Sequence, residues 1–132
     1  MSNDTLLIFD LADRPGRIGI LEGGDSIIWH PLAEGVGSRK VVETVHAFLR
    51  QRKLKLSQVS AFLSVVGGSS LTGMRLGASV ANAFAWALGR AAIAVTPGAS
   101  SDQIRAAYES AEPNALIEIT YPSHPILKTN SR

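Results

Sequence analysis

The sequence predicts an α/β fold: a mixed five-stranded sheet with helices on both faces. Three observations predict it. Residues 5 to 32 hold three short apolar runs separated by turn signals. From residue 38 the apolar period lengthens from that of a strand to that of a helix. Beyond that point, strand-like and helix-like runs alternate, as in a chain that builds a parallel sheet under covering helices.

Taken in order, "TLLIFDL" (5–11) is a buried strand by its length and its acidic end. "RPG" (14–16) turns the chain, and "RIGIL" (17–21) alternates as a second strand. "EGGD" (22–25) is a hairpin turn, because glycine adopts positive φ at little cost. "SIIWHPL" (26–32) is the third strand, closed by Pro31. Ser38 then caps a helix, 38–53, whose Val41, Val42, Val45, Phe48 and Leu49 share one stripe. Arg50, Arg52 and Lys53 suit the negative end of its dipole. "QVSAFLSVV" (58–66) is a fourth strand, 72–88 a second helix, and "AAIAVTP" (91–97) a fifth strand. Ser100 and Gln103 form a capping box for a short helix, 101–110. "ALIEITY" (115–121) has the composition of one more strand, and the proline-bearing tail after it reads as extended.

The order βββ-α-β-α-β-α joins an antiparallel meander to βα units. It is the ribonuclease H-like arrangement, which is also the half-domain of the actin-like ATPases. One domain is expected, with 1–98 as its core and 99–132 supplying a short helix and a tail that complete it.

Composition narrows the function classes. Hydrophobic residues make up 45% and charged residues 18%, so the chain folds, with a surface poor enough in charge to suggest a covering partner. The absence of cysteine excludes disulfides, thiolate zinc sites and cysteine nucleophiles. A net charge of +2 neither demands nor excludes nucleic acid. The N-terminal run lacks a basic n-region and is broken by Asp10 and Asp13, which is unlike a secretory leader. The longest apolar run, Leu76 to Leu88, is 13 residues long. A membrane span needs about 20, so none is expected.

Residues 67–73, "GGSSLTG", join a strand to a helix N-terminus, where main-chain N–H groups attract anions. Gly67, Gly68, Ser69, Ser70, Thr72 and Gly73 are therefore candidates for a residual phosphate loop. The pattern matches neither common nucleotide fingerprint, and composition favours a tight turn capped by Ser70 or Thr72. The turn after the first strand offers Asp10 but no nearby hydroxyl, which suits Mg²⁺-nucleotide poorly. His30, His46 and His124 show no ligand spacing, so no metal is expected. Asp10, Asp13 and Asp25 lack the later acidic residues that a nuclease would need. The basic run 50–55 reads first as a solvated helix end and second as a contact for RNA phosphates.

The helix 72–88 is apolar on nearly every side. Gly73, Gly77, Ala81, Ala85 and Gly89 make a small-residue ridge that lets another backbone approach. Leu76, Val80, Phe84 and Leu88 make a ridge suited to the sheet, and Met74, Ala78, Asn82 and Trp86 a third. So small a domain leaves one flank to a partner, with Trp86 and Met74 as anchors and Asn82 either setting register or bonded within the domain. Cover by the chain's own residues 98–132 is the alternative.

"GGSSLTGMRLGASVANAFAWALGRAAIAVTP" (67–97) resembles the TsaB (YeaZ) family, whose signature runs Gly-Pro-Gly-Ser-Phe-Thr-Gly-Leu-Arg-Ile-Gly. Gly67, Ser70, Thr72, Gly73, Arg75 and Gly77 match it, and Leu71, Met74 and Leu76 are apolar replacements. The resemblance spans roughly residues 5 to 100. The family's proline and second glycine are Gly68 and Ser69 here, and its Asp-Thr-Ser-Thr turn is "DLAD" (10–13). The second domain usual in the family has no counterpart in these residues, which suggests a reduced member. The resemblance implies a non-catalytic, cytoplasmic partner of a TsaD-like enzyme of tRNA N6-threonylcarbamoyladenosine (t6A) synthesis. It implies binding through helices 38–53 and 72–88, a homodimer in isolation through the same face, and only indirect association with tRNA. No cofactor is implied, because ATP and metal chemistry belong to the partners. With the helix ridges, it makes Val42, Leu49, Met74, Gly77, Ala78, Ala81, Asn82, Ala85 and Trp86 the expected partner-facing residues. An actin-like nucleotide-binding domain and a self-associating domain that has lost the ancestral role stay open as alternatives.

Overall fold

The first strand, β1 (Thr5–Asp10), is apolar on both faces because it runs through the middle of the sheet. The computed structural model describes residues 4–13, 15–24, 26–33 and 35–119. Strands β2 (Arg17–Glu22) and β3 (Ile28–Pro31) follow antiparallel, pairing Phe9 with Ile18 and Gly19 with Trp29. Helix α1 (Ser38–Gln51) and a single 3-10 turn (Leu56–Gln58) lead to β4 (Val59–Val65), which lies parallel to β1. Helix α2 (Leu71–Leu88) crosses back to β5 (Ala91–Val95), parallel to β4, and α3 (Ser101–Ser110) follows. The strand order β3-β2-β1-β4-β5 is the mixed five-stranded sheet that the element order predicts.

Alternation along the strands divides the core in two. Leu7, Phe9, Ile18, Ile20 and Phe62 point to the face covered by α1 and α2. Leu6, Ile8, Leu21, Ala61 and Leu63 point to the face where Ile104 of α3 packs. Burying each large side chain contributes about 1.5–3 kcal/mol, and β1 supplies such residues to both layers. Pro31 ends the edge strand, where no neighbour needs its missing N–H.

Three expectations need correction. Ser38 does not cap α1: Gly37 holds the cap position, no side chain bonds there, and Ser38 is the first helical residue. The third strand begins at Ile28, because residues 26 and 27 still belong to the hairpin loop. Residues 115–119 form no strand, and 120–121 lie outside the described residues, as do His124 and the rest of the tail. Ala92 donates its N–H to the Ala115 carbonyl at 2.7 Å. The segment then leaves the sheet edge and lays Ile117 into the core beside α2. The capping box of α3 is present, with Ser100 Oγ accepting from the Gln103 N–H at 3.1 Å and Gln103 Oε1 accepting from the Ser100 N–H at 2.8 Å.

Candidate functional site

Helix α2 carries the candidate site, and its rotation about its own axis decides which residues a partner can reach. Gly77, Ala81 and Ala85 face the sheet and are buried. A Cβ at Gly77 would sit 2.5 Å from Ser64 Oγ, and one at Gly73 would overlap the Leu11 carbonyl. The small-residue ridge thus serves the chain's own backbone, which approaches closely here. The ridge of Leu76, Val80, Phe84 and Leu88 packs over the same core cluster as a half-buried to buried row. Phe84 stacks on Phe62 and Phe9 at 5.2 and 6.4 Å, and His46 of α1 meets its edge at 6.3 Å.

These positions correct the expected partner face. Leu49, Gly77, Ala78, Ala81 and Ala85 are buried in the chain's own core and offer no surface in this conformation. Met74 packs toward the α3-side cluster and accepts the Gly67 N–H on its sulfur at 3.2 Å. Asn82 is bonded within the chain: its Nδ2 donates to the Ile117 carbonyl at 2.9 Å, and its Oδ1 accepts the Ile117 N–H at 2.7 Å. The chain therefore roofs the Asn82 flank of α2 with residues 115–119, which is part of the alternative that the sequence left open. Of the nine residues, Trp86 is exposed, at 79%, and Val42 is half-buried.

What lies open is an apolar groove between α1 and α2, lined by Ser38, Val42, Ser79, Val80, Ala83 and Phe84. Trp86 stands one turn beyond it on the outward face of α2. Ser79, Val80 and Ala83 are absent from the sequence-based set. Their signal was the placement of polar residues on α2: Thr72, Arg75 and Ser79 are the exposed positions that mark the outward stripe.

The α2 helix is also fastened at its lower end. Arg90, just past the left-handed Gly89 cap (φ 67), donates from Nε to the Val59 carbonyl and from Nη2 to the Ser57 carbonyl, each at 3.0 Å.

The loop before α2 is glycine-dependent in fact, since Gly67 and Gly68 have φ of 111° and 107°. Several of its donors are bonded within the chain. Ser70 is the helix cap, and its Oγ accepts the Gly73 N–H at 3.0 Å. The Ser70 N–H donates to the Ala12 carbonyl at 2.7 Å. The Ser69 N–H and Oγ both donate to Asp13 Oδ1, at 2.9 and 2.7 Å. Those two bonds, the main-chain one first, hold the Asp13 carboxyl below its usual pKa. Asp10 is engaged as well, by Arg17 Nε at 2.9 Å, and the Arg17 guanidinium stacks 3.7 Å over the Trp29 ring.

His30 packs edge-on against Phe48 at 5.1 Å. Among the described residues, no group of three or more His, Cys, Asp or Glu is arranged to hold a metal ion. In the basic run, Arg52 approaches Glu22 at 3.6 Å and Lys53 adopts φ 57°. No helix among the described residues is long and apolar enough to cross a membrane.

No family model matches the chain. Over 86 residues, 65% of its length, it is 29% identical to the tRNA threonylcarbamoyladenosine biosynthesis protein TsaB of Haemophilus influenzae, covering 36% of that protein. Among solved structures it resembles YeaZ from Pseudomonas aeruginosa with a TM-score of 0.63 and 26% identity, covering 70% of this chain and 44% of that one. A second structure, an uncharacterized protein with similarity to peptidase YeaZ from Pseudomonas aeruginosa, gives the same TM-score and identity over 43% of its length. The chain spans less than half the length of these relatives. The matched loop residues from Gly67 to Gly77 lie at a strand-to-helix junction of the same fold. Signature, strand order and likeness in sequence and fold together make the chain similar to the TsaB/YeaZ proteins over part of their length.

Proposed function

We propose that the chain is a non-catalytic partner protein in t6A biosynthesis that docks onto a TsaD-like protein through the outer faces of α1 and α2. The carrying observation is Trp86, 79% exposed beside an apolar groove on a helix whose other faces are covered by its own chain. A large aromatic residue at the margin of an apolar groove is the composition that interface centres favour. Val42, Val80, Ala83 and Phe84 form the groove floor and walls, and Trp86 is the anchor. Fastening of α2 at Asp13–Ser69, Asn82–Ile117 and Arg90–Val59 presents that face already ordered, which lowers the cost of binding.

In this scheme tRNA is reached through the partner, and the reaction belongs to the partner. The place of action is the cytoplasm, where tRNA is modified. Two copies pair through the same face when the partner is absent, so dimerisation and partner binding compete.

The test is titration of a TsaD-like protein with the wild-type chain, Trp86→Asp and Val42→Asp, read by light scattering. The wild type is expected to form the complex. Trp86→Asp is expected to lose it while keeping the wild-type unfolding midpoint. Undiminished binding by both variants rejects this docking face.

A further inference from the structure

We propose that Asp13 and Ser69 form a latch, in which the chain's own carboxylate fills the anion seat ahead of α2 and closes the 67–73 loop to free phosphoryl groups. The inference stands on geometry and does not depend on the docking proposal. Two loops far apart in sequence are zipped together at the upper end of the sheet. Asp13 Oδ1 accepts from both donors of Ser69, and the Ala12 carbonyl accepts from the Ser70 N–H. The approach is close enough that a Cβ at Gly68 would lie 2.9 Å from Ala12 Cβ and 3.2 Å from Asp13 Oδ1. At Gly73 a Cβ would overlap the Leu11 carbonyl.

Four donors of the loop and first helical turn are thereby engaged. The Ser69 N–H and hydroxyl serve Asp13, the Ser70 N–H serves Ala12, and the Gly73 N–H serves the cap Ser70. An incoming phosphoryl group would also meet the Asp13 charge at hydrogen-bond distance from Ser69, and like charges repel. The lower carboxylate of the same cleft, Asp10, is neutralised by Arg17.

Without the hydroxyl, the carboxylate would keep only the Ser69 main-chain N–H; without the carboxylate, both charge-assisted bonds are lost.

The test uses the full chain, amide exchange at Ser69 and Ser70, and inorganic phosphate and ADP as probes. Asp13→Ala is expected to exchange about tenfold faster at both amides while exchange in the middle of α2 stays unchanged. Asp13→Asn, which keeps an acceptor of the same shape but no charge, is expected to fall between. Millimolar phosphate or ADP is expected to leave the wild-type Ser69 and Ser70 resonances in place. Unchanged exchange at Ser69 in folded Asp13→Ala overturns the latch, and so does a saturable shift of wild-type Ser69 on adding either probe.

Discussion

Asn82, in the middle of α2, and Ile117, on the last described segment, exchange a pair of hydrogen bonds, side-chain amide to main chain, at 2.9 and 2.7 Å. The carboxamide thus satisfies the N–H and C=O of a residue that no strand partner reaches. Ile117 is buried against the core under α1 and α2, so this pair holds a hydrophobic plug in place.

Asn82→Ala is therefore expected to destabilise the fold by about 1–3 kcal/mol, the cost of leaving partly buried main-chain groups unpaired. Denaturant unfolding measures it. Asn82→Asp keeps the acceptor for the Ile117 N–H but loses the donor, and sets a charge against the Ile117 carbonyl. It is expected to be no better than alanine. Wild-type stability in either variant contradicts the clamp.

Ser64 lies buried beneath Gly77, and its Oγ has no hydrogen-bond partner among the described residues. Gly77→Ala would bring a methyl to 2.5 Å from that oxygen, and overpacking of this kind costs about 1–3 kcal/mol. Ser64→Ala removes an unsatisfied buried hydroxyl and is expected to leave stability unchanged or raised. In the Ser64→Ala background, Gly77→Ala should cost less than it does alone, by about 0.5 kcal/mol or more. Strict additivity in the four-corner cycle would mean that the two positions do not press on each other.

Acid should open the latch ahead of α2. Asp13's carboxyl is held below its ordinary pKa of 3.8 by Ser69, through the main-chain N–H first and the hydroxyl second. The folded pKa is depressed, so the contact contributes fully above the unfolded value and is lost as pH falls through the lowered one. A carboxyl-carbon titration should give Asp13 a midpoint below 3.8. In Ser69→Ala the midpoint should rise part of the way, because the main-chain donor remains. A wild-type midpoint at or above 3.8 contradicts the contact.

Much of the fold was legible in the sequence because its signals are local. The turn glycines, the period change at residue 38 and the Ser100–Gln103 capping box each act within a few residues. The rotation of α2 was not legible. Gly77, Ala81 and Ala85 show that a backbone must come close, but the same small side chains suit a partner's helix and the chain's own sheet equally. Trp86 was found from its type, and the groove beside it was missed because its residues come from two helices. Residues 115–121 read as a strand from their composition. Ile117 and Ile119 instead pack on the helix-covered core while Leu116 and Glu118 stay exposed. The Asp13–Ser69 contact joins loops 56 positions apart, and no local pattern announces it.

The docking face is tested most directly by hydrogen exchange on the full chain, mixed with a TsaD-like protein and compared with the chain alone. Protection is expected in α1 around Val42 and His46 and in α2 from Ser79 to Ala87, with α3 (Ser101–Ser110) unchanged. Complex formation that protects α3 or the β3 edge, and leaves the Val42–Trp86 face exchanging as before, would contradict the account.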